Sequence, residues 1–309
     1  MKKIFIDGSA GTTGLRIYER LANRNDIKLI TLTDEDRKNP ESRKKAINDS
    51  DITFLCLPDE ASKESVSFVE NPNTVILDTS TAHRTNENWL YGFPEVVNDF
   101  SEKVKTAKRI AVPGCHASGF IALIKPLIDN NAISKDVLLA CTSVTGYSGG
   151  GKKMIADYEN EDLDLLLQYP RQYGLTQTHK HLKEMCALAG LTNSPAFSPI
   201  VAPFYSGMEV TIPIFNQYLI NGATKQTIEE IYAKTFNSKV VYFANESENG
   251  FVSSGKLSGK DSMEVSVFGN EERILLCARY DNLGKGASGA AVQCLNYCLG
   301  VDETTGLDL

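Results

Sequence analysis

Over the first third of this 309-residue chain, short apolar runs alternate with amphipathic segments. After Pro113 the texture turns to alternating, hairpin-like strands, and the tail from Lys285 reads as a helix rich in small residues. These three observations predict an α/β fold: a Rossmann-type dinucleotide-binding domain with an inserted α+β substrate domain. The first domain is expected over 1–112 plus 285–309, and the catalytic and substrate domain over 113–284. A chain of this length can build two cores.

Lys3–Asp7 reads as a buried strand and Gly14–Asn23 as the helix that follows it. Ile27–Leu32 and Ile52–Leu57 are the next strands, Asp59–Val69 is a helix opened by a capping acid, and Thr74–Asp78 and Arg109–Val112 are further strands. In the middle portion Met208–Phe215 alternates, and Met263–Phe268 with Arg273–Tyr280 makes a hairpin around Gly269-Asn270. Thr224 caps an amphipathic helix carrying Ile228, Ile231 and Tyr232. In the tail, Gly286, Ala287, Gly289, Ala290 and Ala291 leave a narrow surface, suited to packing back on the first domain.

Composition narrows the function classes. A net charge of −7 offers no basic footprint for nucleic acid, so anionic ligands must be met by a few local donors. Only Ile4-Phe-Ile6 separates Met1-Lys2-Lys3 from Asp7, too short for an export signal, and no stretch approaches the ~20 apolar residues that span a bilayer. A soluble, cytoplasmic protein is expected. The cysteines at 56, 115, 141, 186, 277, 294 and 298 are odd in number, scattered, and form no CxxC. That speaks against a disulfide framework and a zinc site, and no metal is expected.

Four stretches carry chemistry. Asp7-Gly8-Ser9-Ala10-Gly11-Thr12-Thr13-Gly14 follows the first strand and opens a helix, where glycines permit a tight turn and a pyrophosphate can rest on the helix N-terminus. The second strand runs into Thr33-Asp34-Glu35-Asp36-Arg37-Lys38. An acid there suits the 2′-hydroxyl of NAD and a cation the 2′-phosphate of NADP, so the residues leave the choice open. Val112-Pro113-Gly114-Cys115-His116 reads as an exposed turn with a helix beginning just after Cys115, where the dipole stabilises a thiolate. Thr178-His179-Lys180-His181-Leu-Lys-Glu184 holds two of the four histidines, either of which suits acid–base work on a thiol. Standing at i and i+2, they are expected to point apart, so that only one reaches the thiol. His181 is favoured, because a helix starting there brings Glu184 onto its face. Two further loops suit anions: Thr145–Lys152, with Ser148, Gly149 and Gly150 supplying free amides, and Asp78-Thr-Ser80-Thr-Ala-His-Arg84 at a strand's carboxyl end.

Together these stretches resemble the N-acetyl-gamma-glutamyl-phosphate reductases of arginine biosynthesis, the shorter type most closely. The resemblance runs from IFIDGSAGTTG (4–14) through DTSTAHR (78–84), YGFPE (91–95), VPGCHASG (112–119), GYSGGGK (146–152) and THKHLKEM (178–185) to DNLGKGASGAAVQ (281–293). It implies a nucleophilic thiol at Cys115, with His181 or His179 as its acid–base partner. It also implies an NADP-type cofactor, expected over the Gly8–Gly14 loop with Arg37, Lys38 and Ser80 near it; substrate phosphate is expected in the two anion-suited loops, at Arg84 and Ser148–Gly150. A homo-oligomer acting on a small acyl phosphate is expected. Where the family often has Tyr after the cysteine, this chain has His116. The alternatives are a reductase of a related acyl phosphate, of the aspartate- or aminoadipate-semialdehyde type, and a non-catalytic NADP-sensing regulator. An activated thiol serves only the enzymes.

Overall fold

The computed structural model describes residues 1–309. The chain falls into two compact units, Met1–Gly114 with Ala287–Leu307, and Cys115–Gly286 with Asp308–Leu309.

The first unit opens with β1 (Lys2–Asp7), α1 (Thr12–Leu21), β2 (Ile27–Ile30), α2 (Pro40–Asp49), β3 (Ile52–Leu55) and α3 (Asp59–Ser67). It continues with β4 (Val75–Asp78), β5 (Leu90–Tyr91), α4 (Phe100–Lys103) and β6 (Arg109–Ala111). Its six strands form one parallel sheet in the order β2-β1-β3-β4-β6-β5. The order reverses direction at β1, so the carboxyl ends of β1 and β3 flank the crevice where such sheets take ligands.

The second unit holds α5 (Cys115–Asp129), β7 (Ala140–Gly146), α6 (Gly151–Tyr158), β8 (Arg171–Gln172), α7 (His181–Ala189), β9 (Ala196–Ala202) and β10 (Met208–Phe215). It goes on through α8 (Lys225–Thr235), β11 (Val241–Phe243), β12 (Met263–Gly269) and β13 (Arg273–Tyr280). Seven strands order as β11-β12-β13-β10-β7-β9-β8, antiparallel at the centre and parallel only at β11–β12 and β7–β9. Along β13, Ile274, Leu276, Ala278 and Tyr280 are wholly buried on the side of α5 and α8. On the opposite face Phe215 and Leu275 remain 49% and 40% exposed.

The last helix, α9 (Gly289–Leu299), packs in the first unit against α1 and β4, its Ala290, Ala291, Val292 and Leu295 sharing a core with Ile4, Ile17 and Phe54. Small residues make that approach possible: a β-carbon on Gly92 would stand 2.8 Å from Cys294 Sγ.

Three local expectations are corrected. Asp59 does not cap α3; the helix starts from Pro58, and the Asp59 carboxylate instead accepts from Thr81 N and Oγ1. The second strand stops at Ile30, because Thr33 and Asp36 bond each other and wind 36–38 into a short 3₁₀ turn. Helix α2 was not anticipated, although Asn39-Pro40 is a sound start: the Asn39 side chain accepts from Glu41 N and Ser42 N, and Pro40 tolerates the first turn.

The Gly8–Gly14 turn needs two of its glycines for steric reasons. Gly8 has φ +87°, and a β-carbon on Gly14 would stand 2.4 Å from Gly8 O and 2.9 Å from Ser9 Cα. Gly14→Ala is expected to cost about 1–3 kcal/mol in urea unfolding, as forced overpacking does. Gly11→Ala, whose added carbon meets nothing closer than 3.4 Å, is expected to cost less.

Candidate active site

Cys115 is the first residue of α5 and is half-buried. The turn before it is not exposed as expected: Val112, Pro113 and Gly114 are all buried, and so is His116. The first turn of α5 is braced from the sheet. Tyr280 Oη donates to Cys115 O at 2.6 Å and accepts from Gly119 N at 3.0 Å. Only a glycine at 119 leaves room for that phenol, since a β-carbon there would stand 2.6 Å from its oxygen. Gly286 lies against Cys115 itself, where a β-carbon would come within 3.1 Å of Cys115 Cβ.

Three histidine rings gather in this unit. The His116 centroid lies 5.6 Å from those of both His179 and His181, and the latter two are 4.8 Å apart. The expectation that His179 and His181 diverge is therefore wrong. His179 precedes α7, and its Nδ1 accepts from His181 N at 3.2 Å, closing the helix start and folding its ring back beside its neighbour. Helical spacing does not govern a residue outside the helix. His181 opens α7, with Glu184 in the same first turn, and both are buried. Burial pushes the His116 pKa down to about 3, helped by the charge His179 would carry. Burial, and then Lys180, hold His179 below the usual imidazole value. Both nitrogens of His116 are hydrogen-bonded, and no group of three or more His, Cys, Asp or Glu side chains is arranged to hold a metal ion.

Tyr173 and Tyr280 were not singled out in the sequence. Burial raises both phenols' pKa values, and the charge of a Cys115 thiolate raises them further. Both hydroxyls thus keep their protons close to the sulfur. Tyr280 carried no signal beyond its inward place in a strand, and Tyr173 carried none.

The glycine-rich turn differs from expectation. Gly146, Tyr147 and Ser148 donate their amides to the carbonyls of Gly207, Phe204 and Tyr205 respectively. Gly151 donates to Ser148 O. Ser148 Oγ accepts from Asn282 Nδ2 at 3.0 Å, while Asn282 Oδ1 accepts from Gly207 N at 3.0 Å. Ser148 is thus a buried structural staple rather than a donor of free amides, and Gly149 and Gly150 follow it in the same 3₁₀ turn, Tyr147–Gly150.

In the first unit, α1 starts from Gly11 with no side-chain cap and no acid in its first turn, so Ala10, Thr12 and Thr13 stand around an unneutralised positive helix end. Beside it is a cavity of about 210 Å³ whose lining includes Ser9, Tyr18, Leu29, Asp34 and Arg37. Arg37 Nη2 pairs with Asp34. Lys38 is exposed on the same short turn and does not line the cavity. A glycine cradle too tight for β-carbons, an uncapped helix end and a slot of mixed polar and apolar lining edged by an arginine fit a dinucleotide. Ser80 and Arg84 have local uses. Ser80 Oγ donates to Asp78 Oδ2 at 2.7 Å, in a knot that also takes in Ser62 and His83. Arg84 is buried and donates to Val112 O at 2.9 Å and Thr79 O at 2.7 Å, tying strand ends together instead of presenting its guanidinium as an open anion site.

A domain model described as the semialdehyde dehydrogenase NAD binding domain matches residues 3–106, and one described as the semialdehyde dehydrogenase dimerisation domain matches residues 115–282. The chain belongs to the semialdehyde dehydrogenase family. The protein of Nostoc sp. named N-acetyl-gamma-glutamyl-phosphate reductase 2 is 42% identical to it, with 99% of each chain covered. The N-acetyl-gamma-glutamyl-phosphate reductase of Burkholderia lata is 41% identical over 97% of each. Within the family, the chain therefore stands among the N-acetyl-gamma-glutamyl-phosphate reductases. The solved structure of aspartate semialdehyde dehydrogenase II from Vibrio cholerae, complexed with ASA, shares the fold, with a TM-score of 0.71 over 97% of this chain and 98% of that one at 15% identity.

The cysteines differ sharply in environment. Burial pushes the thiols of Cys56 and Cys298 up to about 12 and that of Cys277 up to about 11. Only the thiolate is nucleophilic. One equivalent of iodoacetamide at neutral pH is therefore expected to label Cys115 first, with Cys56, Cys277 and Cys298 following slowly, as read by peptide mapping.

Proposed function

We infer that this chain catalyses the reductive dephosphorylation of N-acetyl-gamma-glutamyl phosphate to N-acetylglutamate 5-semialdehyde, with NADPH as reductant and a thioester on Cys115 as intermediate. The observation that carries this reading is the seat of Cys115 at the N-terminus of α5, in the unit where Tyr173, His179 and His181 gather. At that seat the helix dipole favours a thiolate. The Cys115 thiolate attacks the acyl carbon, the charge on the acyl oxygen is met by fixed donors, and phosphate leaves. A thioester accepts hydride far more readily than a carboxylate, which is what the covalent step achieves. When bound, NADPH supplies that hydride. The resulting alkoxide re-forms a carbonyl and expels the sulfur, which a histidine protonates. We assign that proton to His181, because Glu184 stands in the same helical turn and can orient the imidazole and favour its charged form. The substrate phosphate is assigned to the region of the turn that Asn282 and Ser148 hold, where Gly149 and Gly150 carry no side chain to block its approach.

The cofactor assignment has a physical basis beside the resemblance. An acid just past β2 would favour NAD, but Asp34 is paired with Arg37, whose guanidinium also lines the cavity and could turn to a 2′-phosphate. We place self-association on the sheet face opposite α5 and α8, where Phe215 and Leu275 stay half exposed. No helix is long and apolar enough to cross a membrane. All seven cysteines are free, which suits a reducing compartment such as the cytoplasm.

The assay is phosphate-dependent NADP reduction with N-acetylglutamate 5-semialdehyde, set against the aspartate and aminoadipate semialdehydes. Cys115→Ser is expected to keep its fold and cofactor binding and lose turnover by several orders of magnitude; substantial turnover would sink the thioester route. His181→Asn is expected to lower kcat by roughly 10²–10⁴ and His179→Asn to be milder. The reverse order would make His179 the acid.

A higher kcat/KM for NADPH than for NADH is expected, with Arg37→Ala narrowing the gap. A preference for NADH in the unmodified enzyme would refute the cofactor assignment.

A further inference from the structure

We propose that His116 is a positioning residue for this reaction: its imidazole ties the Tyr173 phenol to Ser143 and so fixes that hydroxyl beside Cys115. The inference rests on the reading of Cys115 as nucleophile. His116 follows Cys115 in α5 and is only 3% exposed. Its Nδ1 lies 2.7 Å from Ser143 Oγ and its Nε2 2.6 Å from Tyr173 Oη. Ser143 is a wholly buried residue of β7. A neutral imidazole has one donor and one acceptor, and each hydroxyl can play either part, so the chain Ser143–His116–Tyr173 is satisfied in either tautomer. An imidazolium would have two donors and would require both hydroxyls to accept.

His116 is therefore not an acid or base of the reaction. Both its nitrogens are already engaged and burial holds its pKa down, so it is neutral at neutral pH and its contribution is geometric. The ring is also gripped by Phe197, edge-on at 5.3 Å. What it orients is the hydroxyl of a side chain whose ring packs against Tyr158, Leu167 and Val201 and edge-on to His179. Tyr173 lies just beyond the two-residue strand β8, its amide donating to Pro199 O at 3.0 Å, and Gly174 turns the chain away at φ +64°. The phenol is bonded to the ring of the residue that follows Cys115, and burial, with a lesser push from a Cys115 thiolate, makes it hold its proton. A hydroxyl fixed there can donate to negative charge on the sulfur or the acyl oxygen, and preorganised donors lower a barrier where mobile ones do not. Without the His116 bond, the phenol loses the hydrogen bond that fixes the direction of its hydroxyl.

A double-mutant cycle on the full-length enzyme tests this, with kcat and KM read in the semialdehyde assay. His116→Phe keeps the ring volume and removes both nitrogens. It is expected to lower kcat roughly 10–100-fold while leaving both KM values within about twofold, the loss that misplacing a catalytic group brings. Tyr173→Phe is expected to lose about as much, and the double variant no more than the worse single one. His116→Gln, whose amide reaches the Nε2 position, is expected to recover part of the loss. Losses that multiply in the double variant, or a His116→Phe enzyme with unchanged kcat, overturn the proposal. If His116→Phe fails to fold by circular dichroism and melting, Ser143→Ala, which cuts the same chain at its other end, replaces it in the cycle under the same criteria. Cys115→Ala run alongside separates the two readings. Turnover retained there refutes the nucleophile, whereas a dead Cys115→Ala enzyme with multiplying losses refutes the bridge alone.

Discussion

The catalytic unit depends on the bond pair that Tyr280 makes to the first turn of α5. A helix start is the least secure part of a helix, because its first amides lack intrahelical partners and its ends fray. Here a phenol rising from the central sheet holds Cys115 O and Gly119 N at once, so the backbone of the nucleophile is fastened to β13. The next two residues extend the same support. The Asp281 carboxylate accepts from Leu283 N and Gly284 N on one oxygen and from Ser206 Oγ and Gly259 N on the other. Its carbonyl accepts from Gly286 N, the residue that lies against Cys115. Asn282 then staples the Ser148 turn to Gly207. Three consecutive residues at one strand end thus set the thiol, the surface behind it and the glycine-rich turn.

The electrostatics follow from that burial. Tyr173, Tyr280 and His116 are kept in their neutral forms, the phenols by pKa values raised through desolvation and His116 by one lowered through it. Neutral donors of this kind do not compete for charge with a thiolate. Fixed dipoles also act more strongly where water is excluded. The charged groups sit apart, as in the Asp7–Arg43–Ser65 cluster at the end of β1, where Arg43 satisfies the buried carboxylate and Ser65 donates to it at 2.8 Å. That cluster anchors α2 and α3 to the carboxyl edge of the parallel sheet, on which the Gly8–Gly14 turn is built.

The sequence by itself determined the architecture and the list of chemical parts. Alternation at period two and at 3.6 is written locally, as are Gly8, Gly14 and a cysteine placed at a helix start, and each holds because it reports on its own backbone. Local sequence also revealed the Thr224 cap, whose capping box forms with Thr227. What tertiary structure alone decided is which parts meet. His179 and His181 converge because one precedes α7 and caps it, a relation that helical spacing cannot express. Ser148 and Arg84 read in sequence as anion donors, but only the fold shows that Ser148 Oγ accepts from Asn282, 134 residues away, and that Arg84 donates to the carbonyls of Thr79 and Val112. His116, Ser143 and Tyr173 span 57 residues and join only because β7 lies beneath α5. Hydrogen bonds act over about 3 Å in space whatever the separation in sequence, so a residue's partners are settled by packing and its periodicity by the chain.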